Sequence, residues 1–303
     1  MSRRMLHVRS NWIASGCLLA LLLSPIGAQE RGAAPPSPPA AKEPAAPAIP
    51  KETSAVTHHD MTLDGKTLKY TATAATLHIN GEGEKPYGSI FYVAYTLDDA
   101  EPSSRPVTFI YNGGPGSASI WLHMGSIGPI RVISASPKAT GAAPYKVQPN
   151  EYSLLDRSDL VFIDAPLAGY SREIGKGKPK DFAGVDQDVT AFNKFITRWV
   201  SVNHRWNSPK FLFGESYGTT RSAALVASLE SSGISCNGVI LLSSVLSYVA
   251  RAQGLMDQYV GNLPTYAATA WYFNKVPRKG TEKQFLDSAR AFAVGEYAEA
   301  LAL

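Results

Sequence analysis

The sequence predicts an α/β fold, a mostly parallel β-sheet with helices on both faces. Three observations predict it. Short apolar runs such as Val107–Tyr111 and Leu160–Pro166 alternate with stretches of helical spacing. Leu160–Pro166 is a continuous apolar run that ends in a polar residue, Asp164, and a proline, as a central strand covered on both faces does. The stretch Lys210–Ala227, KFLFGESYGTTRSAALVA, reads as a strand, a sharp turn and a helix without interruption.

At 303 residues the chain can form one large α/β domain or two small ones. A composition of 45% hydrophobic and 18% charged residues is that of an ordinary globular protein. Part of the formal charge of +4 sits on Arg3, Arg4 and Arg9, and no later basic run interleaves with aromatics, which excludes nucleic acid as a partner.

Residues 1–28 read as a signal peptide. A basic start precedes an apolar core from Trp12 to Leu23, a break at Pro25 and small residues at Gly27 and Ala28. The core is too short to span a bilayer, so export to the periplasm or beyond is expected, with no stable membrane insertion after cleavage. Cleavage after Ala28 leaves Cys236 as the one cysteine, and therefore no internal disulfide. Residues 29–55, rich in Ala, Pro, Lys and Glu, cannot bury enough apolar surface to offset the entropy of ordering, and are expected to be a disordered linker.

The folded part is expected over residues 56–258. MTLDGKTLKYTATAATLHI carries an Asp64-Gly65 turn signal and fits a hairpin at a sheet edge. Ser89–Leu97 is a further strand, aromatic and β-branched. Val107–Tyr111 opens into a glycine-rich loop, and Leu160–Pro166 is a central strand. From Gly184 to His204 the spacing is helical, with Val185, Val189, Phe192, Phe195, Ile196 and Trp199 on one side and Asp186, Asp188, Lys194 and Arg198 elsewhere. Gly238–Ser247 reads as another buried strand. Residues 259–303 read as helical, with Pro264 in a first turn and Pro277 at a break, and form the start of an insertion over the active-site side. There is no internal repeat.

The chemistry centres on Gly214-Glu215-Ser216-Tyr217-Gly218. A turn this tight leaves no room for a Cβ on either flank, and it presents Ser216 at the tip as a nucleophile. The helix start beside Ser216 favours a developing anion. Alone, G-x-S-x-G is a common loop pattern; the strand before it and the helix after it make it specific. An acyl-transfer serine also needs an oxyanion hole, and Asn112-Gly113-Gly114-Pro115-Gly116 lies after an early strand where a second backbone donor belongs. The same glycines could simply reverse the chain. A phosphate-binding P-loop and a dinucleotide fingerprint are excluded by spacing, and neither cofactor nor metal is expected.

YNGGPGSASIW, IDAPLAGYSR and FLFGESYGTTR, in this order, resemble the serine carboxypeptidase family of α/β-hydrolases, and the Thr219-Thr220-Arg221 ending is similar to its bacterial branch. The resemblance runs from about Leu97 to Phe273 and implies an α/β-hydrolase fold. It implies that Ser216 is the nucleophile and that the Gly114 and Tyr217 amides form the oxyanion hole. Asn112, Gly113 and Glu215 would hold the terminal carboxylate of a peptide substrate. Glu215 would then need its proton to donate to that carboxylate, which implies a raised pKa and activity favouring acid pH. Read without the resemblance, Glu215 is a solvated first-turn acid.

Three departures qualify the resemblance. Ser117 stands where many members have a disulfide-forming cysteine. Ser126 stands where eukaryotic members carry a second acid of the carboxylate network. On this fold the triad runs Ser, Asp, His, yet all six histidines (His7, His58, His59, His78, His123 and His204) precede Ser216. His123, near the glycine loop, reads as a packing residue, and Asp257 and Asp287 end no recognisable strand. The resemblance therefore implies a C-terminally truncated chain whose α/β-hydrolase domain is incomplete and which is inactive by itself. The expected function is a serine carboxypeptidase-like hydrolase. Alternatives are an esterase or acyltransferase on the same scaffold, and a non-catalytic fragment that binds carboxylate-bearing peptides. Oligomeric state is not legible.

Overall fold

A computed structural model describes residues 49–135, 138–249 and 256–303. The leader at 1–28 and residues 29–48 of the expected linker lie outside them. Among the described residues no helix is long and apolar enough to cross a membrane.

The chain is anchored from Glu52, whose carboxylate accepts from the His78 amide at 2.6 Å and pairs with Arg198. Three antiparallel strands follow: β1 (Ser54–Leu63), β2 (Lys66–Asn80) and β3 (Pro86–Leu97). The β1–β2 turn is at Asp64-Gly65, both with positive φ, as the hairpin signal required. Then come β4 (Val107–Tyr111), a short helix α1 (Ile120–Leu122), and a small ladder of β5 (Ile130–Val132) with β6 (Val147–Pro149). The central sheet resumes with β7 (Asp159–Ile163) and a two-residue strand β8 (Arg172–Glu173) beside β3. Helix α2 (Val185–Val202), β9 (Lys210–Glu215), α3 (Tyr217–Ser231) and β10 (Gly238–Leu242) complete it.

The spatial order is β1-β2-β3-β7-β4-β9-β10, with β7, β4, β9 and β10 mutually parallel. Chain order reverses between β4 and β9, because the chain leaves β4 toward β7 on one side and returns to β9 on the other. In parallel sheets such a switch point opens a crevice at the carboxyl ends of the two strands. Here those ends are Tyr111 and Glu215.

Alternation along β4 assigns the two faces. Phe109 and Tyr111 join one apolar cluster, under α2 and α3, where Phe109 meets Trp199 edge-on at 5.4 Å and Tyr111 meets Phe192 at 5.0 Å. Ile110 joins the other, with Phe162, Phe213, Leu122 and Leu155. This is the mostly parallel, two-sided layering that the sequence predicts.

Three local expectations are corrected. The run from Gly238 was read as a buried strand to Ser247. It ends at Leu242, where Ser243 turns to φ 52, and its residues Val239 to Leu242 are 40–49% exposed. Among the described residues no further strand pairs with its outer side. Asp188, read off the apolar side of α2, is buried, whereas Val185 is exposed. Pro264 lies inside α4 (Asp257–Tyr272) and not in its first turn, removing one backbone donor from that helix. The chain continues in α5 (Glu282–Val294), capped by Thr281, and α6 (Glu296–Ala302). Trp271 stacks on Phe285 at 5.0 Å to join α4 to α5.

Candidate active site

Ser216 sits between β9 and α3 at φ 57, ψ −124, a backbone conformation that L-residues occupy only under constraint. The constraint comes from both sides. Its amide donates to Leu242 O at 2.9 Å, and its carbonyl accepts from Thr219 N at 2.9 Å and Thr219 Oγ1 at 2.7 Å. Gly214 is obligatory, because a Cβ there would lie 2.1 Å from Gly218 O. Among the described residues no side chain hydrogen-bonds Ser216 Oγ. A cavity of about 290 Å³ opens beside it, lined by Gly114, Pro115, Val185, Tyr217, Val245 and Tyr248.

The loop after β4 meets this turn directly. A Cβ on Gly113 would stand 2.5 Å from Tyr217 N and 2.6 Å from Glu215 O, so glycine lets the loop lie against the elbow backbone. No hydrogen bond from the Gly114 or Tyr217 amide is found among the described residues. Asn112, 4% exposed, donates through Nδ2 to Glu215 Oε2 at 3.1 Å and accepts through Oδ1 from Leu122 N at 3.1 Å. The six candidate site residues therefore fall on two touching segments: Asn112, Gly113 and Gly114 on one, Glu215, Ser216 and Tyr217 on the other.

His123 is not beside Ser216's cavity. Its Nε2 lies 2.5 Å from Tyr95 Oη and its ring stacks on Phe162 at 4.6 Å, and burial holds its pKa down at about 4. It is a neutral packing histidine. Asp164, at the end of β7 in the IDAP segment, accepts from Ser119 N at 2.9 Å and Tyr170 N at 3.1 Å. Burial raises its pKa, against the pull of those two amides. It ties the loop bearing Ser119 to the β7–β8 connection.

The pairing of buried Asp188 with buried Arg221 is not legible in the sequence. Arg221 of α3, 0% exposed, bonds Asp188 through Nε at 2.7 Å and Nη2 at 3.1 Å, and donates through Nη1 to Asn112 O at 2.9 Å. The available signal was a lone arginine on an Ala-rich helix, with an acid one turn before Phe192.

Comparison with known proteins assigns the chain to a family. The serine carboxypeptidase family model matches residues 75–271, a span that contains both segments. The chain belongs to the serine carboxypeptidase family. Relatives in it include Serine carboxypeptidase-like 33 of Arabidopsis thaliana, 27% identical over 144 residues, which are 46% of this chain and 28% of that protein. The pheromone-processing carboxypeptidase KEX1 of Cryptococcus gattii is 28% identical over 141 residues, 46% of this chain and 20% of its own. Serine carboxypeptidase S10 family member 1 of Dictyostelium discoideum is 23% identical over 241 residues, 76% of this chain and 53% of its own. The chain thus spans about a fifth to a half of the length of these relatives. Among solved structures, the prohormone-processing carboxypeptidase Kex1 of Saccharomyces cerevisiae aligns with TM-score 0.47 and 18% identity, covering 76% of this chain and 48% of that one.

Proposed function

We propose that this chain carries the nucleophile half of an exported serine-type carboxypeptidase of the bacterial branch, which releases C-terminal residues from peptides through an acyl-enzyme on Ser216. The observation that supports it most is the Asn112–Glu215 hydrogen bond, which sets a paired amide and carboxyl beside a serine held on a constrained turn. In this reading Ser216 Oγ attacks the carbonyl of the terminal peptide bond. The Gly114 and Tyr217 amides, at a helix N-terminus, receive the oxyanion. Asn112, Gly113 and Glu215 hold the free terminal carboxylate of the substrate, with a proton shared between that carboxylate and Glu215. The amine leaves, and water releases the acyl group.

The histidine base and its orienting aspartate are proposed to lie outside these 303 residues, because no histidine follows Ser216. The 303-residue chain alone is then expected to hydrolyse peptides negligibly, as removal of triad members costs on the order of 10⁴-fold or more. A fluorophosphonate probe tests this. Slow labelling confined to Ser216 and abolished by Ser216→Ala supports the assignment; labelling that survives Ser216→Ala overturns the nucleophile, and rapid stoichiometric labelling of the chain alone overturns the external base. The second reading, a non-catalytic binder of carboxylate-bearing peptides, is favoured by the unpartnered Ser216 Oγ. It predicts peptide binding with no labelling at all.

A further inference from the structure

The charge nearest the elbow that the proposed chemistry does not use is Arg221, five residues after Ser216. Its guanidinium is enclosed by three rings, with Phe192 at 4.2 Å and Tyr111 and Tyr217 each at 5.2 Å from the guanidinium carbon. Two of its nitrogens take both oxygens of Asp188 in the fork geometry that only arginine offers. The third, Nη1, reaches across to the carbonyl of Asn112.

That last contact has a geometric effect. In a trans peptide the carbonyl and the following N–H point in opposite directions. Holding Asn112 O fixes the plane of the Asn112–Gly113 peptide, and so the direction of the Gly113 amide and the entry into Gly114. Nothing in the glycines themselves would fix it, since glycine visits both signs of φ with little cost and Gly114 stands at φ 104. Arg221 lies on the same helix as the Tyr217 amide, so one rigid element carries both that donor and the clamp on the opposing loop. Asp188 in the first turn of α2 neutralises and aims the clamp.

A buried ion pair is a weak source of stability, because desolvating both charges offsets their attraction; well-packed apolar residues often serve as well. What an apolar pair in this ring-walled slot could not do is bind the Asn112 carbonyl. We propose that the buried Asp188–Arg221 pair is a positioning device for the glycine loop, setting the Asn112–Gly113 peptide against the nucleophile turn. This rests on the reading of Ser216 and Gly114 as nucleophile and oxyanion donor only for its effect on chemistry; the effect on the loop stands by itself.

Three variants of the full 303-residue chain separate positioning from packing: Arg221→Met, Arg221→Lys, and Asp188→Leu combined with Arg221→Met. Arg221→Met alone strands the Asp188 carboxylate and is expected to lower Tm. The double variant is expected to regain most of the wild-type Tm. Amide hydrogen exchange at Ser117 and Leu122, whose amides donate to Gly113 O and Asn112 Oδ1, read by NMR, is expected to quicken roughly tenfold in both, as a locally released loop does. Fluorophosphonate labelling of Ser216 is expected to slow by about tenfold in both, less than the roughly 10²–10³-fold cost of removing an oxyanion donor outright, because the donor is displaced and not deleted. Arg221→Lys, lacking the fork, is expected to be intermediate. A double variant that restores Tm together with wild-type exchange would overturn the proposal, because packing alone would then explain the pair. If wild type is never labelled, the proposed function fails while the exchange comparison still decides the positioning role.

Discussion

Asn112 joins two strands' ends with one side chain: its Nδ2 donates to Glu215 Oε2 at 3.1 Å across the β4–β9 junction, and its Oδ1 receives the Leu122 amide. The same amide group therefore serves the proposed carboxylate pocket and the fold of the loop behind it. Asn112→Ala leaves Glu215 without this donor and Leu122 N without its acceptor. A loss of about 1–3 kcal/mol in unfolding free energy is expected from the stranded buried groups. Under the proposed carboxylate-binding role, the chain's Kd for a peptide substrate with a free C-terminus should rise at least tenfold, while that for the C-terminally amidated substrate changes less. Equal losses on both substrates would argue against a carboxylate-binding role.

The strain at Ser216 has its own signature. Replacing it with glycine removes a constrained φ worth about 1–3 kcal/mol and adds a backbone-entropy cost of about 0.5–1 kcal/mol. Ser216→Gly is therefore expected to be as stable as wild type or up to about 2 kcal/mol more stable, by urea titration. A destabilised Ser216→Gly would mean that the turn is not strained.

Gly214→Ala probes the opposite case, because the added methyl would meet Gly218 O at 2.1 Å, Gly218 C at 2.5 Å and Ser222 Oγ at 2.6 Å. Neither strand nor helix can give way without breaking its ladder. The expected loss exceeds about 3 kcal/mol, at the severe end of single substitutions, or the chain fails to fold. A Tm within a few degrees of wild type would contradict this packing.

His123 predicts a pH dependence of stability. Its folded pKa is about 4, depressed by burial from an ordinary value near 6.5. Between those values the unfolded chain binds the proton and the folded chain does not, so this histidine's contribution weakens as pH falls from about 6.5 to 4 and is flat below. The expected loss is on the order of 3 kcal/mol over that window. Comparing wild type with His123→Met isolates it from His78, whose pKa is lowered by burial in the same sense. Parallel curves for the two proteins would show that His123 is not titrating this way.

The cavity beside Ser216 suggests chemical rescue. Its lining includes Gly114, Pro115, Val185, Val245 and two tyrosines, Tyr217 and Tyr248, and its volume of about 290 Å³ leaves room for an imidazole ring. Added imidazole should accelerate fluorophosphonate labelling of Ser216 severalfold over a buffer of equal pH and ionic strength, and 2-methylimidazole less so. No difference between imidazole and inert buffer would mean that a base cannot reach Oγ from this side.

What the sequence made legible were features enforced by the backbone. Gly214, Ser216 and the Asn112–Gly116 loop could be read because a tight turn and a close approach tolerate few residue types, and the constraint is local. Asp188 and Arg221 could not be read so easily, because their pairing depends on how two helices cross the same sheet face. An acid on a helix looks solvated until its neighbour is known. The exposure of β10 was hidden for the converse reason. GVILL shows what a strand can bury, and the strand's rank in the sheet decides what it does bury. Asp164 belongs to the same class as Asp188, since its partners come from Ser119 and Tyr170, far apart in the chain and close only after folding.

The amide of Ser216 is the last rung of the β9–β10 ladder, received by Leu242 O one step beyond the Glu215–Leu242 pair. An outermost strand is where a sheet frays first, and local opening needs far less free energy than global unfolding. One backbone bond thus joins the candidate nucleophile to β10, and the exchange rate of that single amide would read out how long it holds.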